Sequence, residues 1–252
     1  MEKKHWLLAL LIGALSVAPA LAGPIVPGSP PADCATGNLQ GYIDLNGTGG
    51  CSIGSFVVRD FYYSASGGGG YVPYDPSYMS VTPVNSALGP QLWFGSVSGL
   101  NPVFSVPNGQ SATLLLRYYI DPPPVIIRGF EDEMEAWTPV VPGWARITTS
   151  LCIGAPFDGS WTCPSAGGGQ LVVYHNGGSN HHLSDTIWFP PTGNLGVLHR
   201  IELDGGAVGT PGSADFADFG ATALLTIPEP ASWLLLGCGL LGLALLRRRR
   251  AA

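Results

Sequence analysis

Between residues 23 and 227 the sequence has no lysine, and its only cations are Arg59, Arg117, Arg128, Arg146 and Arg200. All of the chain's 17 acidic residues except Glu2 and Glu229 fall in the same stretch. Nucleic acid and anionic membrane surfaces need clustered cations to replace phosphate counterions, so this balance excludes both as partners. Neutral, cationic or carbohydrate-like partners remain.

Long amphipathic helices are missing too: no segment of the body sustains helical periodicity over about ten residues. Catalytic and metal signatures are equally scarce. No C-x2-C pair, H-x-H or H-E-x-x-H spacing occurs, which removes the usual frameworks for zinc. Gly67 to Gly70 is followed by no Gly-Lys-Ser/Thr and no helix, so it reads as a flexible loop and not a phosphate cradle. Gly95-Ser96-Val97-Ser98-Gly99 has Val97 where a nucleophile elbow has its serine. Asp44-Leu45-Asn46-Gly47-Thr48-Gly49 opens like a calcium loop, but the bidentate glutamate position holds Ser55. The body is therefore expected to be non-enzymatic and to need no cofactor.

What is present is a run of short extended segments, rich in Val, Ile, Tyr, Phe and Thr, recurring about every 10 to 20 residues between Gly, Pro and Asn turns. They lie at 40–45, 52–63, 78–84, 91–97, 111–120, 125–130, 144–153, 170–175, 184–189 and 196–203, and 213–226 closes the body. The first two are expected to form a hairpin through the turn at Asn46 to Gly50. Asp121-Pro122-Pro123-Pro124 interrupts the pattern and bridges its two halves. The acidic run at residues 131–135 is expected as a solvated loop or a single helical turn. With 36 Gly and 23 Pro in the chain, the fold class is all-β, an antiparallel β-sandwich or jelly-roll-like body.

Residues 1–22 read as a secretory signal peptide: Lys3 and Lys4, an apolar stretch at 6–17, and Ala20-Leu21-Ala22 before a cleavage point at Gly23. Residues 23–33 form an extended lead-in, and 34–227 the folded extracellular domain. Four of the five cysteines, Cys34, Cys51, Cys152 and Cys163, fall in that domain. In an oxidising compartment they imply two disulfides. Local pairing of Cys34 with Cys51 and of Cys152 with Cys163 is expected, though four cysteines allow three connectivities.

Two sets of side chains are candidates for binding. His175, His181, His182 and His199, with Asp185 nearby, could supply a zinc or copper shell, but the loop between them fixes no ligand geometry. Trp93, Trp137, Trp144, Trp161 and Trp188, with Tyr62, Tyr63, Tyr71, Tyr74 and Tyr78, could form a sugar-stacking face. Core packing explains most of these rings more simply.

The end of the chain, residues 228–252, is organised differently. Pro228-Glu229-Pro230 is followed by an apolar run at 231–246 and by Arg247, Arg248, Arg249 and Arg250. As a helix the run would span about 24 Å against a hydrocarbon core of ~30 Å, a short single transmembrane anchor aided by snorkelling arginines. The four arginines would hold the C-terminus in the cytoplasm. This order of elements resembles the PEP-CTERM sorting signal. The resemblance implies a Gram-negative-type envelope, recognition of Pro-Glu-Pro by an exosortase-type membrane protease, a transient inner-membrane anchor, and delivery to the cell surface or extracellular matrix. It also implies an exopolysaccharide or biofilm setting, in which the body would be structural or adhesive. The alternative is a secreted carbohydrate-binding module or a glycoside-active enzyme.

Overall fold

The structure, a computed structural model, describes residues 31–97, 104–121, 126–135, 143–165, 167–177, 180–209 and 212–225. The signal peptide, the prolines at 122–124, Trp137, and the tail with Pro228, Glu229, Pro230 and Arg247 to Arg250 lie outside the described residues.

The short apolar segments become antiparallel strands in two large sheets. Across one, the order is β11 (His181–His182), β10 (Gly167–His175), β9 (Trp144–Ile153), β13 (Leu195–Asp204), β7 (Ser111–Asp121), β3 (Phe56–Gly68) and β2 (Cys51–Ile53). Across the other it is β1 (Gly37–Asn38), β4 (Met79–Asn85), β5 (Pro90–Ser96), β15 (Asp218–Leu225), β8 (Ile127–Glu135) and β12 (Ser184–Thr192). A third ladder pairs β14 (Ser213–Asp215) with β6 (Ser105–Pro107). One face of each sheet is apolar at every second residue, and burying those faces against each other forms the core. Phe94 and Phe219 stack at 4.9 Å and Phe104 and Phe216 at 4.3 Å, while Phe94 meets Tyr118 of the opposite sheet at 6.0 Å. The expected sandwich is formed.

Two local expectations are corrected. Residues 40–45 are not a strand: Leu39–Asp44 is a helix, α1, continued by a 3-10 turn at Leu45–Thr48. The Asn38 side chain caps it, accepting from the Gly41 N–H at 2.8 Å, and Leu39 and Tyr42, three residues apart, bury one face. Capping and burial outweigh the β propensity of the segment. The acidic run at 131–135 is likewise no loop but the second half of β8. Its alternation sends Phe130, Asp132 and Met134 inward and Glu131, Glu133 and Glu135 outward.

The residues that mimic a calcium loop have structural partners. Asp44 accepts from Gln40, and the Asn46 amide both donates to the Phe61 carbonyl at 2.7 Å and accepts from the Phe61 N–H at 2.8 Å. Asn46 thereby stands in for a strand partner at the β3 bulge, where the register shifts between Arg59 and Tyr62 and Asp60 takes φ 58°. Gly49, at φ 90°, closes the 3-10 turn. Asn46→Ala leaves both Phe61 groups without partners and is expected to cost about 1–3 kcal/mol in chemical denaturation, whereas Asp44→Ala is expected to cost far less.

Both local cysteine pairs are joined, Cys34 to Cys51 and Cys152 to Cys163. Hydrogen bonding begins just before the expected start of the domain, with the Ser52 N–H donating to the Ala32 carbonyl. Gly67 and Gly68 end β3, and Gly69 and Gly70 make the turn after it.

Candidate functional site

The outer face of the seven-stranded sheet is read directly from its register. His182, Tyr174, Arg146 and Glu202 stand side by side across β11, β10, β9 and β13. Beside this row an open groove of about 590 Å³ is lined by Trp144, Arg146, Val172, Tyr174 and Asn176. The Arg146 guanidinium lies 5.6 Å from the Trp144 ring centroid, and its Nε donates to Glu202 at 3.0 Å. Glu202 also accepts from Arg200 Nε at 3.1 Å. The single Glu202 carboxylate thus offsets one of the two guanidiniums, and the groove has two half-buried aromatic rings at its walls and a side-chain amide at its rim. The Cys152 bridge and the loop that follows β9 shape the far side of this face. There Arg117 sits over the rings of Tyr62 and Trp161, at 5.5 and 5.1 Å, and donates to the Asp158 carbonyl. Trp161 adopts φ 65° in a loop that the Asp158 carboxylate holds through the Ser160 and Thr162 N–H groups. It clamps Arg117 and leaves the groove to Trp144 and Tyr174.

On the opposite outer face, that of the six-stranded sheet, Glu131, Glu133 and Glu135 project from β8. Asp218 of β15 is in register with Glu135, and burial together with the Glu135 charge pushes its carboxyl up to about 6. Trp93 lies flat over Gly220, where a Cβ would be 2.9, 2.9 and 3.1 Å from three atoms of its six-membered ring. Trp188 borders Gly129, its Cε3 2.8 Å from where a Cβ would stand, and remains 67% exposed. Only glycine lets an indole rest that close to the strand.

The histidines separate. His175 and His181 stack at the β10–β11 edge, with ring centroids 5.5 Å apart; His182 is exposed, 3.9 Å from Asp185. His199 is far inside the sandwich and wholly buried. The Asp185 carboxylate accepts from the Val172 N–H and holds the free edge of β10. No group of three metal-ligating side chains forms among the described residues.

In the core, His199 Nε2 lies 3.1 Å from the Tyr118 hydroxyl and Nδ1 lies 2.6 Å from Thr149 Oγ1 and 3.8 Å from Asp132 Oδ1. Neither Asp132 oxygen has a hydrogen bond of good geometry. Burial pushes the Asp132 carboxyl up to about 7, with the Asp185 and Glu131 charges adding and the Thr149 hydroxyl opposing. Burial alone pulls His199 down to about 3. An acid, an imidazole and two hydroxyls thus converge, but Asp132 and His199 are 0% exposed, so no substrate reaches them. The sequence pattern groups His199 with His175, His181 and His182 and places Asp132 in a solvated loop or a helical turn; the structure corrects both. The signal was parity: Val197, His199, Ile201 and Leu203 alternate inward along β13.

Of the remaining aromatic candidates, Tyr63, Tyr71 and Tyr74 pack against the core, while Tyr78 stays exposed. Tyr63 donates to the Tyr74 carbonyl at 3.0 Å, and Tyr71, Tyr74 and Tyr78 form a chain of edge contacts. Gly95 and Ser96 end the extended strand β5, and Ser98 and Gly99 lie outside the described residues.

Comparison with protein families finds the PEP-CTERM protein-sorting motif at residues 226–250. No curated protein matches the chain. Two solved structures match: TmCBM61 in complex with beta-1,4-galactotriose, 15% identical with a TM-score of 0.28, covering 65% of this chain and 86% of that one; and the enzymatically active domain of bacteriophage CBA120 tailspike protein 4, 13% identical with a TM-score of 0.26, covering 65% of this chain and 19% of that one. At these TM-scores neither likeness bears on fold or ligand. The sorting motif marks the chain as an exported protein processed by an exosortase.

Proposed function

We propose that the exported body is a non-enzymatic, polysaccharide-binding component of the cell surface or extracellular matrix, and that it holds a neutral glycan in the groove on the seven-stranded sheet. The observation that carries this is the pair of half-buried rings, Trp144 and Tyr174, flanking Arg146 in an open groove with Asn176 at its rim. Aromatic faces take the C–H surfaces of sugar rings, and the guanidinium and amide supply fixed hydrogen-bond donors for hydroxyls. Because Glu202 pairs with both Arg146 and Arg200, only one net positive charge is left at the row, and the groove offers hydrogen bonds in a weak field. The same tether locks the Arg146 fork in place, which lowers the cost of ordering it on binding.

The test is a glycan array probed with the full chain, followed by calorimetry on the ligands it selects. At about 0.7 to 1.4 kcal/mol per ring, Trp144→Ala with Tyr174→Ala is expected to weaken binding between about tenfold and a hundredfold while the melting temperature stays close to wild type. Unchanged affinity in that double variant would remove the groove from the reading. Release of reducing ends from a bound glycan would establish an enzyme instead.

A further inference from the structure

We infer that the opposite outer face, on the six-stranded sheet, is a second polymer-binding surface that takes a glycan bearing free amino groups. Three observations point there. First, Trp93 lies over one glycine and Trp188 borders another, at two positions of one face, and the more exposed of them keeps two thirds of its surface open to solvent. Gly129 and Glu133 are four residues apart on β8, and Gly220 is the register partner of Glu133. The indoles are therefore about 13 Å apart along the strands, a span that several sugar units would cover.

Second, the carboxylates lie between and beside the rings. Glu131 and Glu133 occupy successive outward positions from Gly129 towards Glu135, and no ion pair engages Glu131, Glu133, Glu135 or Asp218 among the described residues. Glu131 and Glu133, beside the Glu135–Asp218 pair and with no ion-pair partner among the described residues, form in a body that has no lysine a field that recruits and holds ammonium groups. Third, the hydroxyl of Thr186, in register with Glu131, provides a neutral hydrogen-bonding partner in the same row. Flat indoles select for the C–H faces of sugar rings, and the uncompensated carboxylates select for amino sugars over neutral or anionic ones. The occupant is thus a polymer of partly or fully de-N-acetylated hexosamine.

This surface is independent of the groove. If the groove reading also holds, the two sites lie on opposite outer faces of one sandwich, and a single body bridges two polysaccharide chains.

The experiment uses the full chain with glucosamine oligomers, their N-acetylated counterparts and poly-lysine as probes, measured by calorimetry at low and high salt. The expected result is that glucosamine oligomers bind, that Trp188→Ala weakens them about tenfold, and that Glu131→Gln with Glu133→Gln weakens them at least tenfold and flattens the salt dependence. The groove variant, Trp144→Ala with Tyr174→Ala, is expected to bind glucosamine oligomers normally. Trp188 and the two glutamates are solvent-facing, so circular dichroism and melting of these variants should match wild type; for a variant that melts early, Trp188→Phe is read instead and should retain most of the affinity. Two outcomes overturn the inference: equal binding of N-acetylated oligomers, or poly-lysine binding that survives Trp188→Ala together with glucosamine binding that does so too, which identifies a general cation-exchange surface. Failure of glucosamine binding with an intact groove response refutes this surface and leaves the groove reading standing. Loss of the groove response alone does the reverse.

Discussion

Replacing Asp132 with asparagine is expected to stabilise the body at pH 8 relative to its effect at pH 3.5, by on the order of 4 kcal/mol. The folded carboxyl is pushed from the ordinary 3.8 up to about 7, roughly three pH units at about 1.4 kcal/mol each. A raised carboxyl favours folding only while it stays protonated. Its contribution is thus complete below pH 3.8 and is lost as pH rises through 7. His199 works in the opposite sense. Its folded value is depressed from 6.5 to about 3, so its contribution is complete above pH 6.5 and is lost as pH falls towards 3. Between pH 3.8 and 6.5 the two slopes cancel, because folding moves one proton from the unfolded imidazolium to the buried acid without net uptake. The pair itself therefore adds no slope across that window, to which the raised Asp218 carboxyl still contributes its own. Relative to wild type, Asp132→Asn should gain roughly 1.4 kcal/mol per pH unit between 3.8 and 7. Any fixed cost of fitting the amide shifts the whole curve but not its slope. Urea denaturation at pH 4, 5, 6 and 8 checks it, and a pH-independent difference between variant and wild type would place the proton elsewhere.

The same residues show what can be read in the sequence and what cannot. The strand at Trp144–Ile153 was expected at its observed boundaries, and Ser111–Asp121 and Leu195–Asp204 within one residue at either end. In each, one face is buried, so the period of two is written in apolar residues. Around residue 132 that period persists, but charge occupies both phases, and composition hid the register. The helix α1 was missed for a different reason. Its six residues carry good β formers, and the deciding information is a single cap, Asn38, with two apolar residues three positions apart. The groove was visible only as a list of aromatic residues. Trp144 and Tyr174 are thirty residues apart in sequence, and the β9–β10 register is what brings them to one row's edge. Trp93 and Trp188 become distinguishable from core rings only once Gly220 and Gly129 are known to lie beside them. The disulfides were the most legible feature, since the local loops they close need no long-range register.

Those disulfides set the largest expected loss. Cys34 and Cys51 are 17 residues apart and Cys152 and Cys163 are 11 apart, so in the chain-entropy model each bridge restricts the unfolded chain by about 3 kcal/mol. A domain of this size has only about 5–15 kcal/mol of net stability. Each pair of serine substitutions is expected to leave a folded but weakened protein, and removing both is expected to bring the body close to unfolding at 37 °C. The two bridges should differ in what else they release. Cys34–Cys51 ties the segment before α1 to β2, a three-residue strand that pairs with β3 on one side and hydrogen-bonds to Ala32 and Cys34 on the other. Its loss should loosen that strand and expose the α1 contacts first. Cys152–Cys163 anchors the loop that holds Trp161 over Arg117. Its loss should free Trp161 from φ 65°, which hydrogen exchange at residues 158–163 would report, while the groove at Trp144 and Tyr174 keeps its shape because β9 and β10 stay paired over nine residues. Glycan binding that survives in the Cys152→Ser, Cys163→Ser variant at 20 °C, combined with an additive stability loss across the two pairs, is the expected pattern. Binding that disappears with this bridge would mean that the Trp161 loop, and not the strand pair alone, holds the groove open.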